Sequence, residues 1–210
     1  MIKVAIAAPN YAMNMDRLIY ALEWKKAKSL DDADVLLFTG GADINPTLYG
    51  EDRHISTGVH PLRDAAELRD LSEFIEMGKK KLMGVCRGAQ LLTARFGGKL
   101  IQDVTNHASG VGHQMHTVDG LIVNVNSYHH QMCLPKDSIP LGWAQHVARV
   151  LQGVPVGIQI DPADFVEPEA FRIVRDDADA LCFQYHPEFG TMPKSGMDWT
   201  IDQVYKWIGD

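Results

Sequence analysis

A cysteine with glycines two positions to either side is the most reactive-looking feature of this sequence: Gly84-Val85-Cys86-Arg87-Gly88-Ala89-Gln90. The form is G-x-C-x-G, the thiol counterpart of the G-x-S-x-G turn that exposes a serine nucleophile. A nucleophile on a sharp strand-to-helix turn sits in a strained backbone conformation, and the chain passes so close that its neighbours must be small. The turn also sets the sulfur at a helix N-terminus, whose partial positive charge favours thiolate. The backbone amide of Arg87 is then free to donate to a developing oxyanion. On its own the motif is also compatible with an inert cysteine beside a glycine-rich turn.

A cysteine nucleophile needs a base, usually distant in sequence. Phe183-Gln184-Tyr185-His186-Pro187-Glu188 offers one. In extended chain, residues at i and i+2 leave on the same side, so Glu188 can hold one imidazole nitrogen of His186 and leave the other for Cys86. Pro187 restricts the backbone between them.

The surrounding elements must bring these two segments together. Ile2–Ala8 reads as a strand ended by Pro9-Asn10, and Met15, Leu18, Ile19 and Leu22 mark one face of a helix with Asn14 or Asp16 as cap. A strand over Asp34–Phe38 runs into Thr39-Gly40-Gly41, and a polar loop follows from Ala42 to about Val59. The pattern predicts a helix over Pro61–Met77 stopped by Gly78, a strand over Leu82–Val85, and a helix marked by Leu91, Leu92 and Phe96 before Gly97-Gly98. This alternation builds parallel β-α-β units with helices on both sheet faces. Beyond Gly98 the runs are β-like: Leu100–Val104, Leu121–Val125, Ala144–Leu151, Phe171–Val174 and Leu181–Tyr185, with a last helix marked by Ile201, Val204, Tyr205 and Ile208. The expected fold is α/β, a mostly parallel central sheet of flavodoxin type with a small antiparallel element in the second half, in a single domain over residues 1–210.

With these motifs in order, the chain resembles the class I glutamine amidotransferases, and within them the γ-glutamyl hydrolase-like branch. The residues that carry the resemblance are Thr39 to Pro46 with Tyr49, Arg63-Asp64 with Glu67, Gly84 to Leu92, Gly97 to Asp103, Asn126-Ser127-Tyr128-His129-His130-Gln131 and Tyr185-His186-Pro187-Glu188. The resemblance implies a triad of Cys86, His186 and Glu188 and an oxyanion hole from the amides of Gly41 and Arg87. It implies that Gln90 holds the glutamyl group, with Ser127, Tyr128 and His129 near its α-carboxylate and α-amine. The implied activity is hydrolysis of a γ-glutamyl amide through a γ-glutamyl thioester, releasing glutamate and an amine or ammonia, with no cofactor. The alternatives are a glutaminase subunit that delivers ammonia to a separate synthetase partner, or a non-catalytic binding protein on the same fold. The chain departs from the branch's pattern at Gln152–Pro168, where prolines at 155, 162 and 168 and acids at 161, 164 and 167 form an extra segment, either a loop over the site, a partner contact or a surface insertion.

Bulk properties narrow the partners. A net charge of -7, with one basic run at Lys79-Lys80-Lys81 that suits a helix C-terminus, argues against nucleic acid. No apolar stretch reaches membrane-spanning length, so no membrane partner is expected. The 3 widely spaced cysteines do not form a disulfide framework and point to a reducing, cytoplasmic setting, with Cys133 and Cys182 as core residues. The oligomeric state stays open, a homodimer included. His113-Gln114-Met115-His116 with His107 nearby could suggest a metal, but cysteine ligands and a third spaced site are missing, so these histidines are read as lining a loop and no metal is expected.

Overall fold

The computed structural model describes residues 1–145, 147–161 and 163–210. The first half follows the alternation of strand and helix: β1 Lys3–Ile6, α1 Asp16–Ala21, β2 Lys25–Lys26, β3 Val35–Phe38, α2 Pro61–Glu76, β4 Lys81–Val85 and α3 Arg87–Arg95. Then come β5 Lys99–Ile101, β6 Asp103–Val104, β7 His113–Thr117, β8 Ile122–Val125, β9 Met132–Leu134, β10 Ser138–Gln145, β11 Leu151–Gln152, β12 Val166–Val174, β13 Asp179–Phe183 and α4 Lys194–Gly209.

Nine strands form one sheet in the order β2-β1-β3-β4-β13-β12-β10-β7-β8. The five from β2 to β13 run parallel, and β12, β10, β7 and β8 continue it antiparallel. The α/β fold with its large mixed sheet is as expected; the antiparallel part is an extension of the same sheet. β4 and β13 are hydrogen-bonded neighbours, in register from Lys81 with Asp179 to Val85 with Phe183. Their C-terminal ends therefore deliver Cys86 and His186 to the same edge, where ligands of open α/β sheets bind.

Side-chain alternation along the strands divides the core. Val4, Val35, Leu37, Met83, Val85, Leu181 and Phe183 pack with α1 and α4 on one face. Ala5, Leu36, Phe38, Leu82, Ala180 and Cys182 pack with Leu71 and Phe74 of α2 and Leu91 and Leu92 of α3 on the other. Burying a large aliphatic or aromatic side chain gives roughly 1.5–3 kcal/mol, so these two layers dominate the driving force. The helix starts follow local chemistry. Pro61 stands in the first turn of α2, where its missing N–H costs nothing, and His60 Nδ1 accepts from Arg63 N at 3.2 Å. α1 has Met15 rather than a polar residue at its cap position, while Asn14 Oδ1 accepts from Asp16 N at 2.8 Å.

The antiparallel half departs from its expected bounds. The run expected over Ala144–Leu151 is split between the end of β10 and β11, and it crosses His146, which lies outside the described residues. β10 starts earlier, at Ser138, because register shifts around Gly142 let it carry Pro140 without losing its pairing with β12. The extra segment splits too: Val154, Ile160 and Phe165 pack on a third apolar cluster with Ile101, Val104 and Met132, and Val166–Pro168 begins β12. Its Val156 N donates to Glu51 Oε2 at 3.1 Å. Pro162 lies outside the described residues. All three cysteines are free and buried.

Candidate active site

Cys86 occupies the junction of β4 and α3 with φ 50° and ψ -109°, in the left-handed region that a non-glycine residue adopts only under constraint. The constraints are visible. Cys86 N donates to Phe183 O of β13 at 2.7 Å, and Gln90 N donates to Cys86 O at 3.1 Å. A β-carbon at Gly88 would stand 2.2 Å from Phe38 O, and one at Gly84 would stand 2.7 Å from Ala89 N. The two glycines expected from the sequence are thus the positions where β3 and the first turn of α3 close around the bend.

His186 follows β13, and its Nδ1 lies 2.7 Å from Glu188 Oε1. Asn126 clamps the backbone of His186 from both sides: its Nδ2 donates to His186 O at 2.8 Å, and its Oδ1 accepts from His186 N at 2.8 Å. Phe189 stacks on the imidazole at 4.3 Å and 13°. Burial works against the imidazolium, but the neighbouring Cys86 sulfur and Glu188 carboxylate favour the charged ring and more than offset it, and the pKa is raised to about 10. Sulfur and imidazole, 100 residues apart in sequence, thus follow the ends of two strands that pair in register, and arrive at the same edge of the sheet.

The loop after β3 forms the opposite wall. A β-carbon at Gly40 would reach 2.5 Å from His186 Cε1, so this backbone lies against the imidazole. Gly41 has φ 145°, and a β-carbon there would strike the Arg63 guanidinium at 2.1 Å. Arg63 holds this loop by donating to Gly40 O at 2.9 Å and to Thr39 O at 3.0 Å. Arg63 in turn bonds Glu67 Oε1 at 2.8 Å, while Arg87 bonds Glu67 and Asp64. All four charged groups are buried. This network joins α2, the first turn of α3 and the glycine loop. Arg87 opens α3, so its amide has no intrahelical acceptor and is available beside Cys86.

The other candidate residues separate. Gln90 is buried on the first turns of α3. Tyr128 is half-exposed; its hydroxyl pairs with Thr191 Oγ1 at 3.1 Å and its ring edge meets His186 at 5.9 Å. It lines a cleft with Met13, Asn14, Arg17, Glu188 and Phe189. Ser127 and His129 do not reach this cleft. Ser127 Oγ donates to His107 O at 2.5 Å, and His129 Nδ1 is engaged by Gln131 O and Gln184 Nε2, both at 3.0 Å. Both side chains are buried and hydrogen-bonded within the protein, so any contact of the 126–131 segment with the substrate's α-carboxylate and α-amine would come from its backbone or from Tyr128. His113 also turns inward instead of lining a loop. The sequence pattern gives no sign of Phe189 beyond its place directly after Glu188, and none of a role for Arg63 or Asn126 in holding the loop and the base.

Residues 18–188 match the Peptidase C26 family. The glutamine amidotransferase-like protein YvdE of Lactococcus lactis is 43% identical over 81 residues, covering 38% of this chain and 34% of that protein. Protein NtpR of Enterococcus hirae is 35% identical over 126 residues, covering 49% of this chain and 52% of that protein. The chain thus spans about a third to a half of these relatives' lengths. Among solved structures, a glutamine amidotransferase of Thermotoga maritima superposes with TM-score 0.56 at 15% identity, covering 100% of this chain and 86% of that one. A protein of Thermoplasma acidophilum described as part of a GMP synthase gives 0.55 at 16%, covering 100% and 98%. At such identities the structures speak for the fold, which is that of the class I glutamine amidotransferases.

Proposed function

The chain belongs to the Peptidase C26 family, and from that premise we propose that it is a cysteine-dependent hydrolase of γ-glutamyl amides, with Cys86 as nucleophile, His186 as acid and base, and Glu188 as orienter. The observation that carries this reading is the strained turn at Cys86, at the end of a strand paired in register with the one that leads to His186, whose imidazole is held by a carboxylate at 2.7 Å.

The chemistry follows from the arrangement. The Cys86 sulfur attacks the side-chain carbonyl of the glutamyl group, its proton held by His186. Negative charge develops on the carbonyl oxygen, to which the amides of Gly41 and Arg87 donate; losing one such donor typically costs about a hundredfold or more in rate. His186 then protonates the departing amine, leaving a γ-glutamyl thioester. A water enters, His186 takes its proton, and the hydroxide displaces the sulfur to release glutamate. Glu188 stabilises the imidazolium that forms twice in this cycle. Gln90, one turn along α3, and Tyr128, at the cleft edge, are assigned to the glutamyl group.

The test is a substrate panel of glutamine, γ-glutamyl-aminobutyrate, a γ-glutamyl polyamine and a polyglutamate, assayed with the wild type and Cys86→Ala. Release of glutamate from at least one member, abolished in a folded Cys86→Ala variant, is expected. Substantial turnover by that variant would refute the assignment. A second reading, a glutaminase that feeds ammonia to a separate synthetase, draws support from the likeness to the Thermoplasma acidophilum protein described as part of a GMP synthase. Slow glutamine hydrolysis that rises when a partner chain is added would favour it.

A further inference from the structure

Beneath the 126–131 segment lies a second cluster of reactive groups that the proposed chemistry does not use. His107, His113, His129 and Glu169 each turn one ligand-type atom inward, and these atoms all lie within 4.8 Å of one another. Glu169 Oε1 stands 3.3 Å from His107 Nδ1, 3.2 Å from His113 Nε2 and 3.5 Å from His129 Nε2. From these contacts the structure assigns a closed, four-ligand metal site to His107, His113, His129 and Glu169, and we propose that it holds one zinc ion.

Three observations support the assignment. First, the spacing fits. A tetrahedral zinc ion with bonds of about 2.0–2.1 Å separates its ligand atoms by roughly 3.3–3.4 Å. The three separations from Glu169 bracket that value. Second, these close approaches are not hydrogen bonds. His113 Nε2, His129 Nε2 and both carboxylate oxygens of Glu169 have no hydrogen-bond partner among the described residues, although they are buried. Buried polar atoms are rarely orphaned, and three of them converging, His113 Nε2, His129 Nε2 and Glu169 Oε1, is what an ion would resolve.

Third, each imidazole has its remaining nitrogen engaged from outside the cluster, as metal-binding histidines do. His107 Nε2 pairs with Glu167 Oε2 at 2.8 Å, the carboxylate–histidine–metal arrangement. His113 Nδ1 meets Gln114 O at 3.1 Å, and His129 Nδ1 meets Gln131 O at 3.0 Å. Charge balance agrees. Glu167 and Glu169 are both fully buried, and their only ion-pair partners among the described residues are these histidines. A divalent ion neutralises the two carboxylates with all three imidazoles neutral. Imidazole ligands favour zinc and its transition-metal neighbours over calcium or magnesium, and four protein ligands with no open position make the site structural.

The site would fasten four separate pieces of chain: β12, β7 and the loops that carry His107 and His129. It adjoins the catalytic loop, because Asn126 clamps His186 while the next residue, Ser127, bonds His107. The ion would thus rigidify the segment that places the base. Zinc binding here does not depend on the thiol chemistry, and it departs from the expectation that the chain binds no metal.

The experiment measures zinc per chain by elemental mass spectrometry on full-length protein grown in zinc-supplemented medium and dialysed against metal-free buffer. The expected result is about one zinc per chain in the wild type and in Cys86→Ala, with occupancy reduced at least tenfold in Glu169→Gln and in His113→Ala. Protein grown with cobalt should show the intense visible bands of a tetrahedral ion. Glu167→Gln, which removes only the outer carboxylate, should weaken retention ten- to a hundredfold. If Glu169→Gln fails to fold, His113→Ala decides alone, since His113 lies at the edge of the cluster. Zinc at background level in the wild type overturns the proposal. So does one zinc per chain that persists unchanged in both ligand variants.

Discussion

At Cys86 and His186 the chemistry turns on the protonation of one ring. The imidazole of His186 is raised to about 10 against the cost of its burial, because the Cys86 sulfur and the Glu188 carboxylate both favour its charged form. Two predictions belong here. Glu188→Gln removes one of the two favourable partners, so the His186 pKa falls. The alkaline limb of the kcat/KM profile should move to lower pH, with kcat down by about a hundredfold or more. A profile of unchanged shape would take Glu188 out of the mechanism. The second concerns stability. A folded-state pKa above the unfolded value of about 6.5 means the folded state holds the extra proton. The resulting stabilisation is full below pH 6.5 and is lost as pH rises through about 10. Denaturant titrations between pH 6 and 10 should show this decline in the wild type and a shallower one in Cys86→Ala. Parallel declines would mean that the sulfur does not sustain the charged ring.

Between elements, the site is held by contacts too tight for a side chain. The Gly88 position presses on the backbone of β3, with 2.2 Å left for a β-carbon beside Phe38 O, so Gly88→Ala should destabilise by about 1–3 kcal/mol and lower the Tm accordingly. Gly40→Ala instead meets the movable ring of His186 at 2.5 Å. It should lower kcat at least tenfold while costing less stability, and the reverse pattern would mean that the loop does not abut the base. The ion network is a third such device. Arg87→Met leaves Glu67 and Asp64 without one of their cations in the interior, and chemical denaturation should register a loss of about 3–5 kcal/mol. Much of this was legible in the sequence. The glycines around Cys86 announce a tight turn, and the 2.0 and 3.6 periodicities mark strands and helices that the structure contains. Two features were not. The strand His113–Thr117 carries two histidines and a threonine where a strand pattern needs apolar alternation, so its residues read as loop. Glu167 and Glu169 lie two apart on one face of β12, a sign of a polar buried face, but nothing local reveals that His107, His113 and His129 face them.

For the whole molecule, the sheet order makes the site. Because β4 and β13 pair in register, residues from the middle and the end of the chain arrive together at one sheet edge, while α2 and α3 bring the charged network behind them. The antiparallel half extends that sheet, and its β12 and β7 carry the histidine–carboxylate cluster beneath the catalytic loop. The most direct test of the central claim is mass spectrometry of protein mixed with a γ-glutamyl anilide and quenched in acid within the first turnovers. A glutamyl adduct confined to the peptide that contains Cys86, and released by hydroxylamine as a thioester should be, is the predicted result. An adduct on another residue, or steady turnover by Cys86→Ala, would contradict it.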